Sequence, residues 1–537
     1  MICKNCGTPA TFDQPTPPSP TPHLYRKIQA PDQSEGISLR KALRDVESDL
    51  REIDNDITRV QAVLEELHRK REARHRFTIE HDAFLAPIRR LPPEILAKIF
   101  VICMPSYGSP SFNPQCSPFL FGQVCIGWRQ VALLTQTLWS SITVNPYWPS
   151  HKMAALWVSR AMSAPLEIRL NSTGLPRAEA IQPAISVLAL YCDRWKDLDL
   201  RIEEKMVLRL NLIRHRLPWL ETLRIQNPKA SQPWCRSQEL NIFELAPRLR
   251  NLSLGIGISH TSVKIPWHQL TELKVHVTDI IECMSILRLV PNVVKCTMYA
   301  LSRFPTTLIS PGNMPILTLS HLHSLGILRL APPEDILRHL YLPIIDALHI
   351  ENERTDSLLS RESFTSFLSG SSRTLRKLEI GCLNGRDSAH IAQCLRATPS
   401  LTELTLRGSG FWVTTDLLRL LTRLPDVDAL VPDLEALEIS DRSIPFDECV
   451  RMIESRWSVA TGAQVKKLSI KMVMEEDWRA DVADLKPLLK CRQEGMMVSV
   501  LNEWNKDLLT YVTPCALHSR SSLSNGVHPD LILRRPG

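Results

Sequence analysis

The stretch PWLETLRI, residues 218–225, contains the unit that decides the fold. Leu220, Leu223 and Ile225 follow the spacing apolar, two residues, apolar, one residue, apolar, and Pro218 stands two residues before the first of them. The last two apolar residues are two apart, which places both on one face of a β-strand. Proline ends a preceding helix and favours extended backbone. The unit therefore predicts a helix, a proline turn and a short strand.

The same spacing recurs from about residue 195 onwards. The eleven triplets begin at Trp195, Leu220, Leu249, Leu270, Val293, Leu325, Ile345, Leu375, Leu401, Leu434 and Val465. Their mean step of about 27 residues lies in the range of leucine-rich repeats, which the region resembles. Such units stack into a solenoid with a parallel sheet inside and helices outside. A plain α/β domain with leucine-rich strands is the alternative interpretation.

Residues between the last two apolar positions of each triplet are expected to face away from the helices, because strand side chains alternate. Five of the charged ones are candidate target-binding residues, while Asp199 is a sixth charged position. The five are basic in the earlier half and acidic in the later half: Arg224, Lys274, Arg329, Glu379 and Glu438. Ordinary solvated polar positions are the alternative.

Before the repeats stands LPPEILAKIF (91–100), a short amphipathic pattern with prolines at its entry. Ile95, Leu96, Ile99 and Phe100 follow at helical spacing and form one apolar stripe. VCIGWRQVALLTQTLWSSI (124–142) predicts a second apolar helix.

Together these two segments resemble an F-box, although an ordinary pair of core helices would show a similar pattern. The matching residues are Leu91, Pro92, Ile95, Leu96, Ile99, Phe100, Val124, Cys125, Trp128 and Arg129. The resemblance implies that Leu91, Pro92, Ile95, Leu96, Ile99, Phe100, Val124 and Trp128 bind a Skp-type adaptor. The Pro/Ser-rich loop 105–118 departs from the pattern, because a compact F-box has a shorter connection.

A heptad pattern precedes the F-box-like segment and predicts a coiled-coil helix. Its seam residues are Leu39, Leu43, Val46, Leu50, Ile53, Ile57, Val60, Leu64 and Leu67. A parallel homodimer would bring Asp49 against Asp54 of its partner. We therefore expect antiparallel self-association, or pairing with a different helix. A single helix packed on its own protein is the alternative.

These patterns predict a mainly α plus α/β chain. The predicted segments are a disordered Pro-rich tail (1–36), the coiled-coil helix (37–86), the F-box (87–142), a linker or capping unit (143–190), the leucine-rich-repeat-like domain (191–512) and a loose C-terminal tail (513–537).

Composition limits the function classes. The net charge of +7 in 537 residues is too mild to favour nucleic acid. We expect no membrane span, because no apolar run reaches about 18 residues. Fourteen cysteines without a tight framework or a secretory signal predict reduced thiols in the cytoplasm or nucleus. Cys3 and Cys6 form a CxxC, but no second pair stands nearby to complete a zinc site.

No phosphate loop, HExxH, GxSxG or clustered carboxylate motif is present. We therefore expect no catalytic residue, metal or cofactor. The arrangement resembles F-box proteins with leucine-rich repeats that are abundant in mushroom-forming fungi. That resemblance implies a substrate-recognition subunit of an SCF-type cullin–RING ubiquitin ligase, whose repeats bind an unknown target protein. A non-degradative scaffold is the alternative.

Overall fold

The computed structural model describes most of the chain in separate ranges. These are residues 16–26, 30–104, 118–145, 151–173, 178–228, 240–300, 315–329, 334–351, 361–371, 373–383, 388–408, 413–423, 430–441, 444–457, 467–472, 482–501 and 509. Cys3, Cys6, residues 105–117 of the Pro/Ser-rich loop and the tail 513–537 lie outside them, so the predictions made for these segments stay predictions. The chain divides into two compact units, Met1–Leu96 and Ala97–Gly537.

The first unit contains the long N-terminal helix that the heptads predict. Helix α1 runs from Gln33 to Leu85, so it begins four residues inside the predicted tail 1–36. Asp32 caps its start, since the carboxylate accepts a hydrogen bond from the Glu35 amide and the Glu35 side chain accepts one from the Asp32 amide. Pro87, two residues beyond its end, cannot continue the helical hydrogen bonding.

Thirteen shorter α-helices follow in the described residues. They are α2 (Pro93–Ile102), α3 (Phe121–Val124), α4 (Ile126–Leu134), α5 (His151–Ala161), α6 (Gln182–Ala189), α7 (Glu204–Leu208), α8 (Ile280–Leu289), α9 (Glu334–Leu337), α10 (Arg361–Ser371), α11 (Ser388–Arg396), α12 (Thr415–Leu421), α13 (Phe446–Trp457) and α14 (Val482–Gln493). No helix of the described residues has the length and apolarity needed to cross a membrane.

Sixteen strands are present in the described residues. They are β1 (Ser141–Val144), β2 (Leu166–Asn171), β3 (Trp195–Arg201), β4 (Thr222–Gln226), β5 (Asn251–Leu254), β6 (Glu272–Val277), β7 (Lys295–Ala300), β8 (Leu317–Thr318), β9 (Ser324–Leu328), β10 (Leu340–Tyr341), β11 (Ala347–Glu351), β12 (Lys377–Leu383), β13 (Glu403–Gly408), β14 (Ala436–Asp441), β15 (Lys467–Met472) and β16 (Met497–Leu501).

Fourteen of these strands form one parallel sheet in sequence order, and the short β8 and β10 pair separately. Parallel neighbours need a crossover. A helix supplies it between many of the strands, as α8 does between β6 and β7, whereas two 3-10 turns (His260–Ser262 and Trp267–Gln269) lie between β5 and β6. Apolar triplet residues of the described strands are buried, as Leu223, Ile225, Leu404 and Leu406 illustrate. The mainly α plus α/β class is thus confirmed.

The sheet extends beyond the predicted repeat region at its N-terminal side. Strand β1 pairs with β2, and β2 pairs with β3, so the sheet begins at Ser141 rather than near residue 191. The segment 143–190, predicted to be a linker or capping unit, supplies β2 and helices α5 and α6 to the same body.

A second helix is present in the segment 124–142, but its predicted bounds are wrong. Cys125 has extended backbone and separates α3 from α4, which ends at Leu134. A 3-10 turn (Gln136–Leu138) and strand β1 follow. The β-branched Ile142, Thr143 and Val144 fit the strand, where Ile142 and Val144 are buried.

The register predicted for the sixth triplet is also wrong. The stretch around SLGILRL contains two overlapping triplets, and the structure uses Leu322, Leu325 and Ile327, because Leu325 pairs with Cys296 and Ile327 with Met298. Gly326 therefore occupies the outward position assigned to Arg329. Arg329 follows the strand with a φ of 63°, and its amide donates to the Glu351 carbonyl.

Candidate protein-interaction surfaces

Six of the eight residues implied in adaptor binding lie in helix α2 or directly before it. In the first unit, Pro92 and Ile95 are exposed, Leu91 is half-buried and Leu96 is buried. In the second unit, Phe100 is only 1 % exposed. Leu96 and Phe100, four residues apart, therefore face inward and offer little surface to a partner. Ile99 is half-buried.

An aromatic cluster supports α2 from within the second unit. The Phe100 ring stacks on Phe121 of α3, with centroids 4.2 Å apart, and lies 4.9 Å from the ring of Trp128 on α4. The Arg129 guanidinium donates to the Gly122 carbonyl at 2.8 Å and so ties α4 to α3. Trp128 is consequently a half-buried packing residue, whereas Val124 at the end of α3 is 60 % exposed.

The solvent face of α4 bears apolar side chains that sequence reasoning missed. Ile126 is 73 % exposed, Leu134 is 80 % exposed, and Leu133 is also exposed. Inward packing of Trp128 and Ala132 turns these residues outward, because helical residues repeat every 3.6 positions. The long helix predicted over 124–142 placed Leu134 in the stripe of Trp128. The outward orientation of Leu134 is clear only in the structure, where Cys125 separates α3 from α4 and α4 ends at Leu134.

A second aromatic cluster joins α4 to the start of the sheet. The Trp139 indole N–H donates to the Ala132 carbonyl at 2.8 Å. Its ring meets Trp157 of α5 edge to face at 5.2 Å, and Phe119 contacts both rings in the same manner. Trp139 and Trp157 are fully buried. This packing fixes α4 relative to the first strands.

The outward face of the sheet presents one continuous row of paired residues. In order from β1 to β16 the row is Thr143, Arg169, Asp199, Arg224, Ser253, Lys274, Thr297, Gly326, His349, Glu379, Thr405, Glu438, Ser469 and Ser499. Four of the five candidate target-binding residues, all but Arg329, stand in this row. The predicted change from basic to acidic thus lies along one surface.

The acidic half of the row is an ion-pair network that the sequence did not indicate. Arg407 lies between Glu379, 2.5 Å away, and Glu438, 3.2 Å away. The His349 Nε2 atom is 3.4 Å from Glu379 and 3.8 Å from Glu351. Burial lowers the pKa of His349, although both carboxylates act in the opposite direction. At neutral pH the imidazole is therefore uncharged and Arg407 is the cation of this network.

An aromatic pair stands beside the basic half of the row. His276 and Tyr299 are paired across β6 and β7, and their rings stack with centroids 5.0 Å apart. Both are half-buried. Outward tyrosines are frequent energetic centres of protein interfaces. Side chains two residues apart on a strand face the same side, so His276 and Tyr299 share the side of Lys274 and Thr297. The sequence could therefore have identified this aromatic pair.

The apolar seam of α1 is exposed at seven of its nine residues, and Leu39 and Val46 are half-buried. The side chains of Leu43, Leu50, Ile53, Ile57, Val60, Leu64 and Leu67 are between 49 % and 61 % exposed. Four ion pairs link residues of α1 to one another, including Glu66 to Arg69 and to Lys70. These pairs stabilise the helix itself and leave the seam uncovered.

The described residues offer little material for covalent or metal chemistry. All eight described cysteine side chains are free thiols, six of them buried. Burial raises the pKa of Cys296, Cys394 and Cys449 to about 12, so they are protonated and poorly nucleophilic. Within the described ranges, no three His, Cys, Asp or Glu side chains are grouped to hold a metal ion.

Comparison with known proteins adds no relative. No protein-family model matches the chain, and no curated protein matches it.

Proposed function

We propose that this chain is a substrate-recognition subunit of an SCF-type cullin–RING ubiquitin ligase. Helices α2, α3 and α4 bind a Skp-type adaptor, and through it a cullin, while the outward row of the sheet binds a target protein. The chain itself performs no catalysis and uses no cofactor. Its role is to hold the target at a fixed place relative to the ligase subunits that transfer ubiquitin.

The observation that carries the proposal is the apolar solvent face of α4. Ile126, Leu133 and Leu134 expose large side chains on a helix of nine residues, next to the exposed Val124. Exposed apolar groups gathered in this way mark a surface that a partner covers. The F-box resemblance supplies the kind of partner.

The aromatic clusters support this division of roles. Within the second unit, Phe100, Phe121 and Trp128 pack the end of α2 against α3 and α4. Trp139 and Trp157 join α4 to the sheet without a long linker. A target held on the sheet would therefore keep a defined distance from the adaptor, as the positioning role requires.

Variants of the α4 face test adaptor binding. The tagged full chain is purified from its native cells with the proteasome blocked, alongside Ile126→Glu/Leu134→Glu and the control Leu190→Glu/Leu212→Glu. The control adds the same charges at two apolar residues that are both 66 % exposed elsewhere. We expect wild type and control to retain adaptor and cullin, and the α4 variant to lose both at least tenfold. Equal capture by both variants, or no adaptor with the wild type, would overturn the proposal.

Variants of the row test target binding. The variant Arg224→Glu/Lys274→Glu is expected to lose captured targets and to retain the adaptor. Arg224 lies in β4 and Lys274 in β6, whereas α4 precedes β1. Proteins captured equally by this variant and by wild type are not held by the basic half of the row.

A non-degradative scaffold is the second candidate, and the exposed seam of α1 favours it. A scaffold needs surfaces for several partners, and α1 supplies one besides the row. Capture of the adaptor without a cullin in the same purification would favour the scaffold over the ligase subunit.

A further inference from the structure

Helix α1 has a single apolar seam and no described partner for it. From Leu39 to Leu67 the helix keeps the heptad spacing, and seven of the nine seam side chains are about half exposed. A stripe this long and regular fits another helix of the same repeat, since each side chain inserts between four of the facing helix. The remaining question is which helix covers it.

We propose that a second copy of this chain covers the seam, with the two α1 helices antiparallel. We describe the register by the sum of the residue numbers of two facing seam residues, which is 117 in the proposed pair. Leu50 then lies opposite Leu67 of the partner, Ile53 opposite Leu64 and Ile57 opposite Val60. By symmetry this gives six apolar layers. The proposal is independent of the adaptor and of the target.

The charges that flank the seam argue against a parallel pair. The positions beside the seam are Glu47, Asp49, Asp54 and Asp56 in the first half and His68 and Lys70 in the second. In a parallel pair, a flanking residue such as Asp49, directly before Leu50, faces the partner residue whose number is five higher. Asp49 would then face Asp54 twice in each dimer, which places like charges together.

The charges also select the register of the antiparallel pair, in which equivalent flanking positions face each other. With a sum of 117, Asp49 faces Lys70 and Glu47 faces His68, and each contact occurs twice. A shift of one heptad to a sum of 110 brings Asp54 against Asp54 and Asp56 against Asp56. A shift the other way, to 124, leaves only four apolar layers. The sum of 110 would give eight apolar layers but sets these acidic residues against their own copies, whereas the sum of 117 keeps six apolar layers and sets opposite charges together.

The ends of the pair are compatible with this register. Arg71 and Arg74 would lie opposite Val46 and Leu43, where their aliphatic stems cover apolar surface while their charged ends reach water beside the acidic first half. Lys70 lies 3.4 Å from Glu66 of its own helix. That contact is exposed, so the ammonium group can move to Asp49 of the partner at small cost.

Charge variants of the full chain test the orientation by sedimentation velocity. Asp49→Lys would face Lys70 in the antiparallel pair, and we expect its dimer dissociation constant to rise about tenfold; in a parallel pair it would face Asp54 and the constant would fall. Asp49→Lys/Lys70→Asp restores the antiparallel attraction and should return the constant towards wild type. Asp45→Lys, on the outer side of the helix, is the matched control. A monomeric wild-type chain, or tighter association of Asp49→Lys, would overturn the proposal.

Engineered cysteines test the register. Two differently tagged copies, one with Leu50→Cys and one with Leu67→Cys, should form a disulfide with each other under mild oxidation, mapped by mass spectrometry. Leu50→Cys alone should not link to itself. A link between Leu43→Cys and Leu67→Cys copies instead would overturn the sum of 117. In the expected dimer the Leu85 ends of the two helices lie about 80 Å apart, since the helix rises 1.5 Å per residue.

Discussion

Arg456 illustrates what a single residue can do inside this fold. It lies in α13 and is only 1 % exposed. Its guanidinium donates to three backbone carbonyls, those of Leu421 at 2.7 Å, Leu430 at 2.6 Å and Val431 at 3.1 Å. Burial, with a contribution from Arg423, lowers the pKa of Arg456 to about 10, so the side chain remains charged at neutral pH.

Two of the carbonyls that Arg456 binds, those of Leu430 and Val431, belong to a strained turn, and the third is at the end of α12. Val431 has a φ of 47°, a conformation that a β-branched residue rarely adopts. Arg456 thereby holds the turn before β14 against the end of α12. Nothing in the sequence RMIESRW separates this arginine from surface arginines. Its role depends on carbonyls 25 and more residues away in the chain, which no local pattern encodes.

Replacement of Arg456 by alanine should destabilise the protein by roughly 3 kcal/mol, because three buried carbonyls lose their donors. The comparison is Arg419→Ala, an exposed arginine of α12 that pairs with Glu448, for which we expect a change below about 0.5 kcal/mol. Urea unfolding followed by tryptophan fluorescence measures both. Equal effects would show that the carbonyl contacts contribute little.

At the scale of elements, side-chain hydrogen bonds fix the start of helix α8. The Asp279 carboxylate caps it by accepting from the Glu282 amide at 2.8 Å. The Glu282 carboxylate accepts from the Thr278 amide at 2.8 Å and lies 3.1 Å from His260. Burial raises the pKa of Glu282, but these hydrogen bonds outweigh it and hold the pKa below its usual 4.5.

The Glu282 carboxylate should make stability dependent on acid. Because its pKa is lower in the folded than in the unfolded chain, the ionised form stabilises the fold above about pH 4.5, and this contribution is lost as the pH falls through the folded value. We expect Glu282→Gln to cost on the order of 1 kcal/mol at pH 7 and less near pH 3.5.

Urea midpoints at pH 7, 5 and 3.5 check this expectation. Glu272→Gln is the control, since Glu272 is exposed on β6. A difference between Glu282→Gln and wild type that stays constant over this range would contradict it.

The elements themselves were predictable where a pattern extends over many residues. The seam of α1, the apolar pattern of α8 and the leucine triplets each repeat a period that only one kind of element satisfies. The bounds of the second helix in the F-box-like region were wrong because Leu138 continues the helical spacing of α4, while the ends of the helix depend on extended backbone at Cys125 and Thr135. The sixth triplet failed because two registers fit the same leucines, and pairing with β7 decides between them.

At the scale of the whole molecule, the fourteen strands of the main sheet pair in chain order, and β8 and β10 lie outside it. Facing residues of adjacent strands are between 21 residues apart, as for Leu252 and Leu273, and 33 apart, as for Leu404 and Leu437. Contacts between adjacent strands of the main sheet therefore join residues that are close in the sequence. Stability in such arrays is carried by each unit and its two interfaces.

A cavity in one strand should consequently loosen only part of the sheet. Leu437→Ala in β14 removes a side chain that is 1 % exposed, at an expected cost of roughly 2–5 kcal/mol. We expect hydrogen exchange to accelerate in β13, β14 and β15 and to change little in β2, β3 and β4. Leu198→Ala in β3 should give the reverse distribution. Uniform acceleration across the sheet would show a single cooperative unit instead.

The order of the strands has a consequence for how this chain can diversify. The main sheet runs in sequence order, so duplication or deletion of one strand with its crossover changes only two interfaces. It would lengthen or shorten the outward row by one position and leave Phe100, Trp128 and Trp139 untouched. Gain and loss of such segments at the level of the gene would thus change the outward row while both aromatic clusters stay the same.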